Sequence, residues 1–271
     1  MAIGQYERCE LWKAERYLEN EAEQRRFNLT AQLIPEGVNS ILDIGTGNGA
    51  FLRYLEDHDK CLTKMKGLEA AGTPIAKKVC RAEIYRGSIA DLPFTNASFD
   101  LVSALEVIEH LPFGVFEKGL QEIQRVAARY ILISVPYNER RIKVRCSYCG
   151  CNFNPDYHLR SFSGQALKCL FERFGLSKLI FVKKSYYPGI RFISQFLPER
   201  LRPSFSIEKY PQVLCPQCGF SPSRTTSLAD PAFNTSYFEQ HKIKKPTEFL
   251  KRLVPRFNRT YWSIMLYIRK A

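Results

Sequence analysis

Short apolar runs alternate with segments of helical periodicity along the first half of the chain. Runs typical of buried strands begin at Ser40 and continue at residues 65–70, 82–87, 99–107 and 129–136. Apolar residues recur at three- and four-residue intervals in the segments between them, at residues 50–58, 73–80 and 115–127. Strands that alternate with helices favour parallel pairing through right-handed crossovers, which gives a doubly wound sheet.

The ends of the chain extend this pattern. Residues 10–34 have helical periodicity, and Pro35 and Gly37 close that segment. Residues 163–175 predict a helix with Gly175 at its C-cap, and residues 176–184 and 260–270 predict two more strands. The pattern therefore indicates an α/β fold with a Rossmann-like, mostly parallel sheet of seven strands.

Two stretches interrupt the pattern and predict insertions into this domain. Residues 140–160 are basic, irregular and rich in cysteine, and residues 186–258 hold nine of the fifteen prolines. Proline is excluded from the middle of a sheet because it cannot donate a ladder hydrogen bond. We therefore expect an N-terminal helical cap at residues 1–36 and one domain at residues 37–271 that carries both insertions.

Composition and charge limit the class of protein, its expected location and its expected partners. An apolar fraction of 45% in 271 residues indicates a folded globular chain. The sequence has no apolar run long enough to span a membrane and no apolar leader, so we expect a cytoplasmic protein. Its formal net charge of +13 favours anionic partners, such as nucleic acid, lipid headgroups or phosphorylated substrates, although a basic protein that is simply soluble is equally compatible.

A glycine-rich turn follows the first predicted strand. Gly45, Gly47 and Gly49 allow the backbone to approach a ligand closely, and the helix that follows offers free N–H groups. Glu69 ends the next strand, where a carboxylate can accept hydrogen bonds from both hydroxyls of a ribose. A dinucleotide and S-adenosylmethionine (SAM) both fit these features. The spacing G-x-G-x-G, preceded by Asp43, differs from the G-x-G-x-x-G of nicotinamide sites.

The D-x-G-x-G-x-G pattern resembles motif I of the class I SAM-dependent methyltransferases. Residues 87–94, 98–102 and 106–111, which read GSIADLPF, SFDLV and EVIEHL, are similar to successive signatures of the UbiE/UbiG-like group, within the methyltransferase type 11 group. The resemblance covers residues 38–135 and extends loosely to residues 158–163. It implies a SAM-dependent methyltransferase.

The resemblance also implies roles for individual residues. The three glycines would wrap the carboxypropyl end of SAM, Asp43 would support their loop, and Glu69 would hold the ribose. Ala70 would touch the adenine edge, Ser88 and Ile89 would flank the adenine, and Glu106 would line the methionine end of SAM. Ser88 stands where the group usually has an aspartate, and Asp91 is an alternative if the loop is shifted.

Glu109 and His110 follow the fourth strand, at the edge where such folds keep their sites. His110 is a candidate general base because the pKa of histidine lies near neutrality. A base is needed only when the accepting atom carries a proton. The alternative is that this pair only braces a helix.

Two C-x-x-C-G motifs predict a structural zinc site of the zinc-ribbon kind. They comprise Cys146 with Cys149 and Cys215 with Cys218, and each pair of thiolates can grip one side of a tetrahedral ion. Two unrelated thiol pairs are the alternative, and Cys151 is a possible competing ligand. A four-cysteine site leaves no open position for catalysis.

The long insertion is basic, with eleven Lys and Arg against five Asp and Glu in residues 186–258. It could contact an anionic membrane surface, an RNA backbone or a phosphorylated substrate, or it could be a solvated face. Together the observations favour methyl transfer to a small-molecule acceptor or a glycan- or lipid-linked one. The alternatives are an RNA methyltransferase and a non-catalytic protein that keeps the SAM-binding fold.

Overall fold

The computed structural model describes residues 17, 19–58, 62–70, 73–186, 204–210, 213–222 and 257–271. Seven strands of this part of the chain form the main sheet. They are β1 (Ser40–Ile44), β2 (Lys64–Glu69), β3 (Glu83–Arg86), β4 (Phe99–Leu105), β5 (Ala127–Pro136), β8 (Phe174–Tyr186) and β10 (Phe257–Arg269). Five helices accompany them, namely α1 (Glu21–Ala31), α2 (Ala50–His58), α3 (Thr73–Val79), α4 (Val115–Val126) and α5 (Gly164–Lys168).

The strand order of the sheet is β3-β2-β1-β4-β5-β10-β8. Strands β1 to β5 pair in parallel, and β10 runs antiparallel to β5, with Met265 opposite Ile133. The order changes direction between β1 and β4. In sheets of this kind, the crevice at such a point, beyond the carboxyl ends of the strands, is where ligands bind. The predicted Rossmann-like sheet of seven strands is confirmed.

Alternation along the central strands separates the core into two layers. Leu42 and Ile44 of β1 pack on one face of the sheet, together with Ile123 of α4. Ile41, which directly precedes Leu42, packs on the other face with Phe27 of α1 and Phe51 of α2. Fully buried strands have this near-continuous apolar character because both faces are covered by helices.

The prediction of a helix over residues 163–175 is wrong in its second half. Ser163 caps the helix by accepting a hydrogen bond from the N–H of Ala166, but α5 ends at Lys168. Leu170, Phe171 and Phe174 have helical spacing, yet they pack in the core from the connection and from the start of β8. Gly175 lies within β8 and is therefore no C-cap.

The chain divides into two compact units. The described residues within 17–139, 159–183 and 260–271 form the unit of the main sheet, and those within 140–158 and 184–259 belong to the second unit. The described part of the second unit contains a small sheet of order β7-β6-β9, with β6 (Lys143–Arg145), β7 (Asn152–Phe153) and β9 (Ser204–Ser206). Strand β6 pairs in parallel with β9, about 60 residues further along the chain.

Several predicted features lie outside the described residues. These are residues 10–16 of the first predicted helix and the basic stretches at residues 189–202, 242–245 and 249–256. Within the described part of the chain, no helix is long and apolar enough to cross a membrane.

Strand β10 is anchored by one buried hydroxyl, which gives a test of the packing. Tyr267 is fully buried, and its hydroxyl donates a 2.7 Å hydrogen bond to the carbonyl of Leu167 in α5. A Tyr267→Phe variant should lose about 1–2 kcal/mol of unfolding free energy, because a buried carbonyl then lacks its donor. Urea denaturation followed by circular dichroism measures this loss.

A Tyr148→Phe variant is the matched control. Tyr148 is 79% exposed, so removing its hydroxyl should change the unfolding free energy by less than about 0.5 kcal/mol. Equal midpoints for the two variants would contradict the assigned hydrogen bond.

Candidate functional site

The glycine loop joins β1 to α2 and lies at the carboxyl edge of the sheet. Its three glycines all have positive φ values, 69° for Gly45, 57° for Gly47 and 81° for Gly49. A Cβ on Gly45 would overlap a methyl carbon of Val107, and one on Gly49 would lie 2.9 Å from the Cys80 sulfur. Side chains are therefore excluded at both positions by conformation and by contact.

The predicted ribose-binding acid contacts this loop directly. Glu69 ends β2, is only 7% exposed and accepts a 2.7 Å hydrogen bond from the backbone N–H of Gly47 at its Oε2. Leu68 precedes Glu69, and its carbonyl accepts a 2.7 Å hydrogen bond from the N–H of Gly45. The structure thus brings the glycine loop and Glu69 together, and it holds the loop against the end of β2. Ala70, the next residue, is exposed.

Asp43 is the buried acid of β1. Its Oδ1 accepts a 2.6 Å hydrogen bond from Oγ of Ser103, which lies directly opposite in β4. Burial raises the pKa of Asp43 to about 6, and the hydrogen bond from Ser103 opposes part of that rise. An ionised Asp43 therefore depends on hydroxyl donors around it, since desolvation disfavours the charged form.

The segment after β3 forms a tight turn. Ser88 is exposed, its Oγ accepts from the N–H of Ala90 over 3.2 Å, and its carbonyl accepts from the N–H of Asp91 over 3.1 Å. Ile89 is buried, and its side chain packs in the core, where a Cβ on Gly119 of α4 would come within 3.2 Å of it. Ser88 thus has the local role of a turn residue, and Asp91 is exposed at the end of the turn.

Glu106 follows β4 in an unusual backbone conformation. Its φ is 58°, in the left-handed region that residues with a side chain rarely adopt. Ser134 of β5 stabilises it twice, because its carbonyl accepts from the N–H of Glu106 over 2.9 Å and its Oγ donates to Glu106 Oε1 over 2.8 Å. Strain held in this way is typical of functional sites.

The sequence analysis did not identify the two serines whose hydroxyls donate hydrogen bonds to Asp43 and Glu106. Ser103 and Ser134 have no exposed surface, and each is a polar residue inside an otherwise apolar strand. That interruption is the signal which could have found them, because a buried hydroxyl needs a hydrogen-bond partner.

Glu109 and His110 lie on a 3-10 turn (Ile108–His110), which begins two residues after Glu106. Glu109 is completely buried, and neither of its carboxylate oxygens has a hydrogen-bond partner among the described residues. Burial raises the pKa of Glu109 well above the ordinary value, and the negative charge of Glu106 adds to the rise. The Nε2 of His110 is 3.9 Å from Glu109 Oε1.

The backbone of this turn is fixed by the segment before α5. The N–H of Leu159 donates to the carbonyl of Glu109 over 2.8 Å. The guanidinium of Arg160 donates to the carbonyls of Ile108 and Leu111, and it lies 4.0 Å from the ring centre of Phe116. Arg160 therefore holds both ends of the turn that carries Glu109 and His110.

The second unit contains the four predicted metal ligands. The Sγ atoms of Cys146 and Cys218 are 3.7 Å apart, those of Cys149 and Cys215 are 3.5 Å apart, and all four lie within 4.8 Å of one another. A disulfide needs sulfurs about 2.05 Å apart. Four thiolates around one zinc ion with bonds of about 2.3 Å would lie roughly 3.8 Å apart, so the spacing fits the ion.

The two cysteine motifs have the same backbone structure. In the first, the N–H of Gly150 donates to the carbonyl of Cys146, and in the second the N–H of Gly219 donates to that of Cys215, both over 2.9 Å. The glycines have φ values of 75° and 72°. In each motif, this turn directs the two thiols toward the same point. Cys151 lies beyond the first turn, and it is not among the four clustered sulfurs.

Comparisons with known proteins agree with this architecture. A family model of a methyltransferase domain matches residues 14–179, which is more than half of the chain. A protein of Encephalitozoon cuniculi (strain GB-M1) assigned as a methyltransferase, ECU09_1500, is 36% identical over 89 residues. That match spans 32% of this chain and 39% of the relative's own length.

Two solved structures have the same fold. A protein of Bacillus halodurans C-125 assigned as a methyltransferase is 16% identical, with a TM-score of 0.52 over 91% of this chain and 99% of that chain. The second structure is the complex between the Haloferax volcanii Trm112 methyltransferase activator and a protein assigned as a methyltransferase. The matching chain of that complex is 13% identical, with a TM-score of 0.52, and the match covers 95% of this chain and 94% of that chain. The chain belongs to the methyltransferase domain family and has the fold of the class I SAM-dependent methyltransferases.

Proposed function

We propose that this protein transfers a methyl group from SAM to an acceptor bound at the carboxyl edge of the main sheet. The observation that carries this proposal is the hydrogen bond between the Gly47 N–H and the buried Glu69 carboxylate. It places a carboxylate suited to a ribose beside a loop suited to the amino-acid end of the same molecule. The lack of room for a Cβ at Gly45 and at Gly49 supports the fit.

In this proposal each site residue meets one part of SAM. Gly45, Gly47 and Gly49 would surround the carboxypropyl end, Asp43 would support their loop, and Glu69 would bind the ribose hydroxyls. Ala70, Ser88 and Ile89 would contact the adenine, and Glu106 would line the methionine end. SAM supplies a methyl group already activated by its sulfonium. The residues of the chain would bind it, align it with the acceptor and exclude water.

For the acceptor, we propose a small molecule or a group carried on a glycan or lipid. The support is the similarity of residues 38–135 to the UbiE/UbiG-like pattern. RNA is the second candidate, favoured by the formal net charge of +13, because a basic protein attracts a phosphate backbone.

We also propose that Cys146, Cys149, Cys215 and Cys218 bind one structural zinc ion. The donor set of four thiolates is the one that closed zinc sites use, and the sulfur spacing suits a tetrahedral ion. Such an ion would tie residues 140–158 to the described residues after 204.

The cofactor assignment is tested by a Glu69→Gln variant. The amide keeps the size of the side chain but loses the charge of the acceptor, so the affinity for SAM should fall about tenfold or more. Isothermal titration calorimetry measures the change. A Glu36→Gln variant, at an exposed position of the same unit, should bind SAM like the parent protein. Equal affinities for the parent and the Glu69 variant would refute the proposed ribose contact.

The acceptor assignment is tested with SAM labelled in its methyl group. The protein is incubated with fractionated extract, and the label should enter the small-molecule, glycan or lipid fraction. The Glu69→Gln variant, compared at a SAM concentration near the parent's dissociation constant, should transfer markedly less label. Label confined to RNA would select the second candidate, and no transfer to any fraction would favour a non-catalytic SAM-binding protein.

The zinc assignment predicts one zinc ion per chain in the purified protein. A Cys215→Ser variant should retain far less zinc, because an open three-thiolate site holds the ion weakly. Inductively coupled plasma mass spectrometry measures the ratio. The control is Cys169→Ser, since Cys169 is an exposed cysteine outside the cluster. Unchanged zinc content in the Cys215 variant would exclude the shared site.

A further inference from the structure

The small sheet of the second unit has one apolar face and one polar face. Val144 of β6 and Phe205 of β9 are buried, and their neighbours along each strand point to the opposite face. The Ser204 hydroxyl donates a 2.9 Å hydrogen bond to Oδ1 of Asn152 across β6. Directly paired residues share a face of a sheet, so the polar face is formed by Lys143, Arg145, Asn152, Ser204 and Ser206. Lys143 is half-buried and the others are exposed.

The polar face carries positive charge and no acidic residue. Lys143 and Arg145 lie two residues apart on β6, which is about 6.7 Å along a strand, and neither makes an ion pair with a described residue. Residues 140–158 contain four Lys and Arg against one acid, Asp156. A positive field without opposing acids attracts anions, so this face is suited to an anionic partner.

Tyr148 adds an aromatic ring beside this face. It lies in the turn of the first cysteine motif and is 79% exposed. Its ring is within 7° of parallel to that of Phe220, which follows the second motif, with 6.2 Å between the ring centres. The guanidinium of Arg145 lies near Gly150 in the same turn, since a Cβ on that glycine would be 3.8 Å from its Nη2. A flat, solvent-exposed ring is therefore positioned next to the cations.

We propose that the polar face and the Tyr148 ring bind a single strand of nucleic acid. Such strands are bound by cations that follow the phosphates and by aromatic rings on which unpaired bases stack. Lys143 and Arg145 are spaced for neighbouring phosphates of an extended strand. A duplex fits less well because its bases already stack on one another, and a membrane fits less well because the polar face has no apolar side chain to insert. This binding goes beyond methyl transfer and does not depend on the acceptor.

Fluorescence anisotropy tests strand binding, with the full chain titrated, in the absence of SAM, into a labelled single strand of about twelve mixed nucleotides. The parent protein should bind the strand more tightly than a duplex of the same length, and its affinity should fall as the salt concentration rises. Tyr148→Ala should lower the affinity at least about fivefold, because a base loses its stacking partner. Tyr148→Phe keeps the ring and should bind like the parent protein.

Lys143→Gln and Arg145→Gln should each weaken binding and reduce the slope of log affinity against log salt concentration by about 0.7. Lys78→Gln, at an exposed position of α3, should change neither quantity. Zinc content should match the parent in every variant, and loss of zinc without loss of strand affinity in Arg145→Gln would overturn the proposal, because the cations would then serve the cysteine cluster. Equal affinities for the parent and Tyr148→Ala would also overturn it. So would a parent protein that binds phosphatidylglycerol vesicles, or nothing, in place of the strand.

Discussion

The structure of the candidate site depends on keeping carboxylates buried at the edge of a parallel sheet. Asp43, Glu69 and Glu109 are buried and Glu106 is half-buried, and they lie on or after the neighbouring strands β1, β2 and β4. Burial disfavours the charged form of Asp43 and Glu109 and raises the pKa of both. The protein offsets this with donors taken from its own backbone and strands. The N–H of Gly47 serves Glu69, and the hydroxyls of Ser103 and Ser134 serve Asp43 and Glu106. Glu109 is the member of the set that lacks such a donor among the described residues.

A contact between the loop after β1 and the segment after β4 requires glycine at position 45. Gly45 is pressed against Val107, which lies between Glu106 and the 3-10 turn, so the loop after β1 and the segment after β4 share one contact. A displacement of either would move the donors of one acid and the backbone of another. The backbone segments that support Glu69 and Glu106 are therefore linked through this contact.

Periodicity was sufficient to predict the sheet and most of its helices, because strands covered on both faces are nearly continuous apolar runs. It was insufficient after Phe162, where Leu170, Phe171 and Phe174 have helical spacing but pack from a connection and a strand. The glycines, Glu69 and the cysteine pairs were predictable since their spacing reflects local turns. The serine donors and the burial of Glu109 were not, because they depend on which residues of distant strands face each other.

The position of β10 has a consequence for how the protein matures. This strand lies between β5 and β8 in the sheet, yet it follows β8 by about 70 residues in sequence. During synthesis on the ribosome, β5 and β8 therefore keep unpaired edges until residues 257–269 have emerged. Open edges of this kind invite pairing with other chains, so a nascent chain would depend on rapid insertion of β10, or on chaperones, to avoid aggregation.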